Sequence, residues 1–366
     1  MKSIYGGYTR LDTDGIAYFA GANTADGFRG LYNGIADERR MERVYILKGG
    51  PGTGKSTLIR KAADAAAKAG VPAELYFCGS DPYSLDCAVL GGRIAVLDGT
   101  APHGRDMTYP GAASSLIDLS RFWDSGMLEA ERDAVFAHSE AKSAAWTSAY
   151  RWMRAADAAD EERTAYAAQC FDAGKAEAYI GRRMKQIGKP KPEESGRTVL
   201  RYTRAVTMRG RFYLPAFERL AETVFAVADA YGCAVPFMEL LAGRLAAAGY
   251  DTLVSRLPVT GHADGILLPA HRIAFVTAGA DDADGDVRRL NMARFVKTEI
   301  PAGVRGQMRL AAKVEQSCME EAESALARAS EEHFALEEIY KQAMDFPALG
   351  RFTKKLCAEI TERLTE

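Results

Sequence analysis

Residues 49–56 of this 366-residue chain read Gly-Gly-Pro-Gly-Thr-Gly-Lys-Ser. The spacing is G-x-x-x-x-G-K-S, and the flanks suit it. Val44, Tyr45, Ile46 and Leu47 precede it as a short apolar, β-prone run, the composition of a buried strand. Behind it, Leu58, Ile59, Ala62, Ala65, Ala66 and Ala69 recur at helical spacing until Gly70 and Pro72 stop the helix. Strand, glycine-rich turn and helix in that order build a cradle for a polyphosphate. The glycines let consecutive backbone N–H groups turn toward one anion, and the helix begins there with its unpaired N–H groups and positive dipole end. Gly49, Gly50, Pro51, Gly52, Thr53, Gly54, Lys55, Ser56 and Thr57 are therefore expected to hold a nucleoside triphosphate. Lys55 would reach the β- and γ-phosphates, and the Ser56 hydroxyl would ligate Mg2+. ATP is the expected nucleotide, since the chain has no N-K-x-D stretch to read guanine.

Downstream, Arg93 to Leu97 is an apolar strand finishing in Asp98. A carboxylate at a strand end organises Mg2+ in phosphate-loop enzymes, so Asp98 joins Ser56 as a metal residue and Lys55 as a catalytic one. Gly99 stands where many ATPases keep a water-activating glutamate. Thr100 and His103, with Asp81 and Asp86 in the preceding GSDPYSLD turn, are the polar groups left to orient water or an acceptor hydroxyl.

The length suggests about two domains. A net charge of −2 gives no support for a nucleic-acid partner or an anionic membrane. No apolar run approaches the ~20 residues that span a bilayer. The N-terminus lacks a signal-peptide core, and the six cysteines include no C-x-x-C pair. Reduced thiols and a cytoplasmic location are expected.

Residues 125–187 are rich in Ala, Glu, Arg and Lys and read as a helical hairpin inserted in the first domain. Trp146, Tyr150, Trp152 and Met153 would supply its apolar contacts. Residues 188–196, GKPKPEESG, form a Pro-broken linker. Beyond it the sequence repeats at a shift of about 180 residues. RIAVLDGT at 93–100 answers to RIAFVTAG at 272–279, GANTADG at 21–27 to RAVTMRG at 204–210, and LSRFW at 119–123 to MARFV at 292–296. A long helical run, about Gln307 to Met344, closes the second copy. That copy sets Ala234-Val235-Pro236 against Gly54-Lys55-Ser56 and Thr277 against Asp98, so it lacks the groups for phosphate and metal. The expected fold is α/β: two tandem phosphate-loop modules, 1–190 and 197–366, each a mostly parallel sheet flanked by helices with a helical hairpin extension, the second degenerate.

The combination FAGANTADGF, GGPGTGKST, CGSDPYSLD and LDGTAPH resembles bacterial tandem P-loop ATPase-like, or nucleotide-kinase-like, proteins. The resemblance covers nearly the whole chain and implies two P-loop NTPase modules and ATP binding. Several of those proteins keep a second phosphate loop, from which residues 234–236 depart.

Three activities follow. The first is a slow Mg2+-dependent ATPase or nucleotide switch with one site per chain. Arg197, Arg201, Arg204, Arg209 or Arg211 of the second half would then supply a charge to the γ-phosphoryl group. The second is a small-molecule or nucleotide kinase, with Arg182, Arg183 and Lys185 as a flap. The third is an ATP-stabilised binding protein whose helical segments meet a protein partner or a second copy.

Overall fold

The computed structural model describes residues 7–101, 104–277, 286–300 and 302–366, so His103 and the last two residues of RIAFVTAG lie outside the described residues. The fold is mixed α/β, with 48% helix and several mostly parallel sheets.

Six strands of the first half form one sheet in the spatial order Ala17–Phe19, Ala73–Phe77, Leu85–Leu90, Ile94–Asp98, Arg43–Lys48, Ser114–Asp118. Six strands of the second half form another, ordered Thr198–Arg201, Thr252–Arg256, Ala263–Leu268, Ile273–Thr277, Thr223–Ala228, Asp286–Asn291. Both run parallel, antiparallel, antiparallel, parallel, parallel from edge to edge. The correspondence extends to turns. In the hairpin Gly21–Thr24/Gly27–Gly30, the Thr24 hydroxyl donates to the Gly27 carbonyl and accepts the Asp26 N–H. In Arg204–Thr207/Gly210–Tyr213, Thr207 makes the same two bonds with Gly210 and Arg209. GANTADG thus turns a hairpin. LDCAVL, whose first two residues read as the end of a polar turn, is a fully buried central strand.

The helices depart furthest from expectation. Residues 125–187 do not fold back on themselves. They form a short helix Ser125–Ala130, a 39-residue helix Arg132–Cys170, and a helix Ala173–Ile187 beginning at a cap, the Asp172 carboxylate on the Lys175 N–H. The second half has its own 39-residue helix, Val304–Gln342, followed by Phe346–Thr365, which Asp345 caps through the Ala348 N–H. Each long helix measures about 58 Å at 1.5 Å per residue. The two lie antiparallel, as His138 paired with Glu332 and Arg163 with Glu315 require. Small residues let them approach: Ala149, Ala156, Ala322 and Ala325 are fully buried, with Met153, Met319 and Leu326 between them. Trp152 points outward, 39% exposed, and is not one of these contacts.

Because each long helix crosses to the other half, the helix behind it docks there. Ala176, Tyr179 and Ile180, from the first half of the sequence, pack with Phe225, Phe237 and Phe295 of the second. Leu349, Leu356, Ile360 and Leu364, at the C-terminus, pack with Leu58, Ile59 and Ala62 of the helix Lys55–Lys68. Paired crossings fix both exchanges: the Asp172 N–H donates to the Phe295 carbonyl and the Asp345 N–H to the Phe122 carbonyl, at 2.7 Å each. The expected self-contained hairpins are therefore a reciprocal exchange, favoured because each amphipathic end helix finds the other half's apolar helix to cover. Arg182, Arg183 and Lys185 travel with the exchanged helix. Arg183 stacks 4.6 Å over Phe225 of the second sheet, far in topology from the 49–54 loop.

Ile360 is fully buried in the first half although it lies near the chain's end. Ile360→Ala should lower unfolding stability by about 2–5 kcal/mol, read as a fall in urea midpoint reported by Trp123 in that half.

Candidate functional site

The strand Arg43–Lys48 is buried from Val44 to Leu47, and the chain then turns through Gly49–Gly54 into the helix Lys55–Lys68. Gly52 and Gly54 adopt φ of 68° and 87°, the left-handed region that side chains rarely enter. The Lys55 ammonium folds back over the turn, donating to the carbonyls of Gly49 at 2.9 Å and Gly50 at 2.7 Å. The Thr53 hydroxyl, fully buried, donates to the Gly50 carbonyl. Asp98 ends the neighbouring parallel strand, where its register partner is Leu47. Its carboxylate lies 3.7 Å from Lys55 and accepts the Thr100 N–H. Thr100 is tied to the loop through Gly49, donating to its carbonyl. The Ser56 hydroxyl accepts the Leu85 N–H at 2.8 Å, which fixes the oxygen and leaves its proton free for another acceptor. Lys55, Ser56 and Asp98 are thus brought together, as a triphosphate and Mg2+ would need.

These groups open into a cavity of about 660 Å³. Pro51 to Thr57, Asp98 and Thr100 form one end, and Ser80, Asp81, Ser84 and Asp86 continue the same edge of the sheet. Asp86 is buried on its strand, where the Tyr32 hydroxyl donates to it at 2.7 Å. Burial, with the Asp86 charge beside it, pushes the neighbouring Cys78 thiol well up, so that sulfur stays protonated.

The facing wall escaped the sequence reading. Lys142, Trp146 and Tyr150 come from one long helix, and His333, Glu337 and Lys341 from the other. Both triplets step by four residues, which places each on one helical face; that spacing was the available signal. Trp146 and Tyr150 stack at 5.7 Å, and the Tyr150 hydroxyl donates to Asn23, a buried amide that itself donates to the Gly79 and Val206 carbonyls. Their role is cavity wall as well as helix contact. Glu337 holds His333 at 3.5 Å and Lys341 at 2.8 Å, and the hydrogen bonds from His333 first and then Lys341 keep its carboxyl down at about 2 against the opposing effect of burial.

The helix Val304–Gln342 also closes the outer face of the 49–54 loop. A Cβ on Gly52 would lie 2.7 Å from the Glu337 carbonyl oxygen, and one on Gly50 would strike the Tyr340 ring at 2.5 Å. The loop is clamped between its own sheet and the end of the second half's helix.

Of the second half's arginines, Arg209 lies at the cavity's rim. It is 3.2 Å from Asp81 and stacks over Tyr83 and Phe334. Arg211 pairs with Glu323, and Arg201 stacks on Tyr18 and Tyr76. Arg204 is buried, bonded to the Thr277 carbonyl and paired with Asp264. Arg197 belongs to a different surface pocket, with Arg40 and Glu74.

The equivalent place in the second half is filled from within. Its loop has five residues, Asp229 to Cys233, between strand and helix, where the first has six, Gly49 to Gly54. Lys55 therefore corresponds to Ala234 and Ser56 to Val235, one place earlier than the sequence alignment sets them. The Asp229 carboxylate accepts the N–H groups of Gly232 at 3.0 Å and Ala234 at 2.7 Å. A protein carboxylate sits where the helix start faces an anion. Val227 pairs with Thr277 as Leu47 pairs with Asp98, which confirms Thr277 as the counterpart of Asp98. Beside it, the Arg204–Asp264 pair places a fixed guanidinium. The loop's outer face meets Ala167 and Met308, an apolar cover in place of Glu337.

Comparison of the chain with protein-family models, with curated proteins and with solved structures found no match. Among the described residues no helix is long and apolar enough to cross a membrane, and no cluster of three His, Cys, Asp or Glu side chains is placed to hold a metal.

Glu337 ionises below its ordinary value of 4.5 in the folded chain. Its contribution to stability is complete above about pH 4.5 and is lost as the pH falls toward 2. Glu337→Gln should flatten the stability profile in that window, measured as urea midpoints between pH 5 and 2.5.

Proposed function

We propose that this chain is a P-loop protein that binds one Mg2+·ATP, hydrolyses it slowly, and uses the bound state as a switch. The observation that carries the reading is the union of the Gly49–Thr57 turn, Lys55 at its mouth, and Asp98 3.7 Å away on the adjacent strand. The donors present suit the ligand. Lys55 now spends its hydrogen bonds on two loop carbonyls, and phosphate oxygens would replace them as stronger, charged acceptors. Ser56 and Asp98 offer a hydroxyl and a carboxylate for Mg2+, which takes oxygen ligands and would neutralise charge on the β- and γ-phosphates. The two six-stranded sheets are read as two P-loop NTPase-like modules, the second retaining the architecture without the chemistry.

The clamp on the loop supports a switch. Gly50 and Gly52 touch Tyr340 and Glu337 directly, so a change of loop shape on binding would press on a helix that crosses to the second half. The position of that helix is what a bound nucleotide would bias.

A kinase is the second reading. The cavity extends past Asp98 to Ser80, Asp81 and Asp86, with the Trp146–Tyr150 pair across from them, and there is room there for an acceptor beside the γ-phosphate. Under that reading phosphate release would be negligible until an acceptor is added.

Calorimetric titration with Mg2+·ATP should give one site per chain, and Lys55→Ala should weaken it roughly 10- to 100-fold, the worth of a charged hydrogen bond. Phosphate release by the wild type without an acceptor would favour the hydrolase. Two nucleotides per chain, or unchanged affinity in Lys55→Ala, would overturn the assignment.

A further inference from the structure

The pair of long helices crosses the edge of the first sheet, and two landmarks fix where. Glu337 lies over the loop Gly49–Gly54, since a Cβ on Gly52 would meet its carbonyl oxygen at 2.7 Å. Tyr150 lies beyond the strand Ala73–Phe77, since the Asn23 amide that accepts its hydroxyl also donates to the Gly79 carbonyl. His138 pairs with Glu332, so Lys142 is level with Arg328, nine residues from Glu337. At 1.5 Å per residue that is about 14 Å along the pair. The strand Ala73–Phe77 is the third from the loop strand, also about 14 Å away at ~4.8 Å per strand. Lys142 and the Trp146–Tyr150 pair therefore stand over the far strands, with Ser80, Asp81 and Asp86 lining the opposite side. The cavity of about 660 Å³ has two ends, and the loop occupies one of them.

The other end is only half provided for. Trp146 and Tyr150 stack at 5.7 Å, and the bond from Tyr150 to Asn23 at 3.0 Å fixes the pair to the interior. Lys142, one turn before Trp146, is half-buried, and among the described residues it makes no hydrogen bond or ion pair. Burial lowers its pKa, with no neighbouring charge contributing. A lysine on a helix surface ordinarily carries its ammonium out to water, and holding the charge half-buried without a counter-ion is unfavourable. The carboxylates across the cavity are engaged elsewhere: the Tyr32 hydroxyl donates to Asp86, and Arg209 pairs with Asp81.

The second half shows the same wall completed from within. Asp172 and Asp345 cap equivalent helices and make equivalent crossings, and they stand 173 residues apart. At that offset Lys142, Trp146 and Tyr150 answer to Glu315, Met319 and Glu323. Glu315 pairs with Arg163 at 3.2 Å and Glu323 with Arg211. A charge at each of those two positions is met by the chain itself, where Lys142 is left to a group from outside.

We propose that the far end of this cavity is a second ligand site, for a molecule that joins a planar ring to an anionic group, with the ring against Trp146 and Tyr150 and the anion on Lys142. Ring and anion would be separated by about 5–6 Å, the spacing of side chains one helical turn apart. Nucleoside monophosphates have that build. Aromatic side chains take rings of any sequence of atoms by their faces, and the ammonium takes the charge. The site does not rest on what the loop Gly49–Gly54 binds.

The test is calorimetric titration of the full chain with AMP and UMP, and with adenosine and ribose 5-phosphate as the ring-only and anion-only parts. Both monophosphates should bind at millimolar concentration or below. Their affinity should fall roughly 10- to 100-fold in Lys142→Met and roughly 5- to 100-fold in Trp146→Leu, which keeps an apolar contact with the neighbouring helix. Adenosine should weaken only in Trp146→Leu and ribose 5-phosphate only in Lys142→Met, while Lys142→Arg should retain all four. Binding that is lost in Lys55→Ala but survives both wall variants would put these molecules on the loop and overturn the site. Absence of binding by both monophosphates would overturn it equally, whatever ATP does at the loop.

Discussion

The close approach of Gly52 to the Glu337 carbonyl joins the two halves at a place where the chain has little room to yield. Gly52 is in the left-handed region and a Cβ there would meet backbone, so neither conformation nor volume can change without moving the helix end. Displacement at such a point travels along a rigid element, and the helix behind Glu337 runs back about 50 Å to Val304. Packed interiors transmit displacement because they are dense and have few voids to absorb it. The exchange of the end helices strengthens the link. Neither half completes its own apolar core: the first needs Leu349 to Leu364 and the second needs Ala176 to Ile180.

Two copies of one plan have been satisfied in opposite ways. In the first, Asp98 has Lys55 beside it and accepts the Thr100 N–H, and the anion-seeking start of the helix Lys55–Lys68 opens into a cavity whose far wall is polar. In the second, Asp229 supplies the anion, Arg204 supplies the cation beside Asp264, and Ala167 with Met308 supply an apolar cover. A helix start without a partner leaves N–H groups unpaired, at a cost of about 1–3 kcal/mol each where they are buried. In the second loop the Asp229 carboxylate, within the same turn, accepts the Gly232 and Ala234 N–H groups and removes that cost from inside the chain.

How much was legible in the sequence depended on distance along the chain. The loop, its strand and its helix are contiguous, and Asp98 closes a strand whose apolar run is unmistakable, so Lys55, Ser56 and Asp98 emerge from local pattern alone. The repeat is equally local in each copy, and the matching hairpins of Thr24 and Thr207 follow from a hydroxyl that serves one turn geometry twice. The facing wall could not be read this way. Lys142 and Lys341 lie 87 and 286 residues after Lys55, on helices whose composition fits a hairpin as well as an exchange. The choice between those depends on which apolar faces meet, and alanine-rich faces such as Ala149 and Ala325 accept many partners. Asp86 was misplaced for a related reason: the polar residues before Leu85 mask the fully buried strand Leu85–Leu90 to which it belongs.

The exchange also explains why the polar wall can exist at all. A single module would have to expose Trp146, Tyr150 and the buried edge of the helix Arg132–Cys170, or fold them onto its own sheet and fill the cavity. Laying the second half's helix alongside covers Ala149 and Met153 while holding the pair of helices off the sheet edge, with Tyr150 fixed to Asn23 as a spacer. Asn23 is itself bonded to Gly79 of the first half and Val206 of the second, so the height of that wall is set by both halves together. A buried amide with its donors and acceptor all engaged is rigid, since loss of any one bond leaves an unpaired polar atom in the interior. The space over the 49–54 loop is therefore set by both halves: the second supplies the helix that walls the chamber into which Lys55, Ser56 and Asp98 of the first half open.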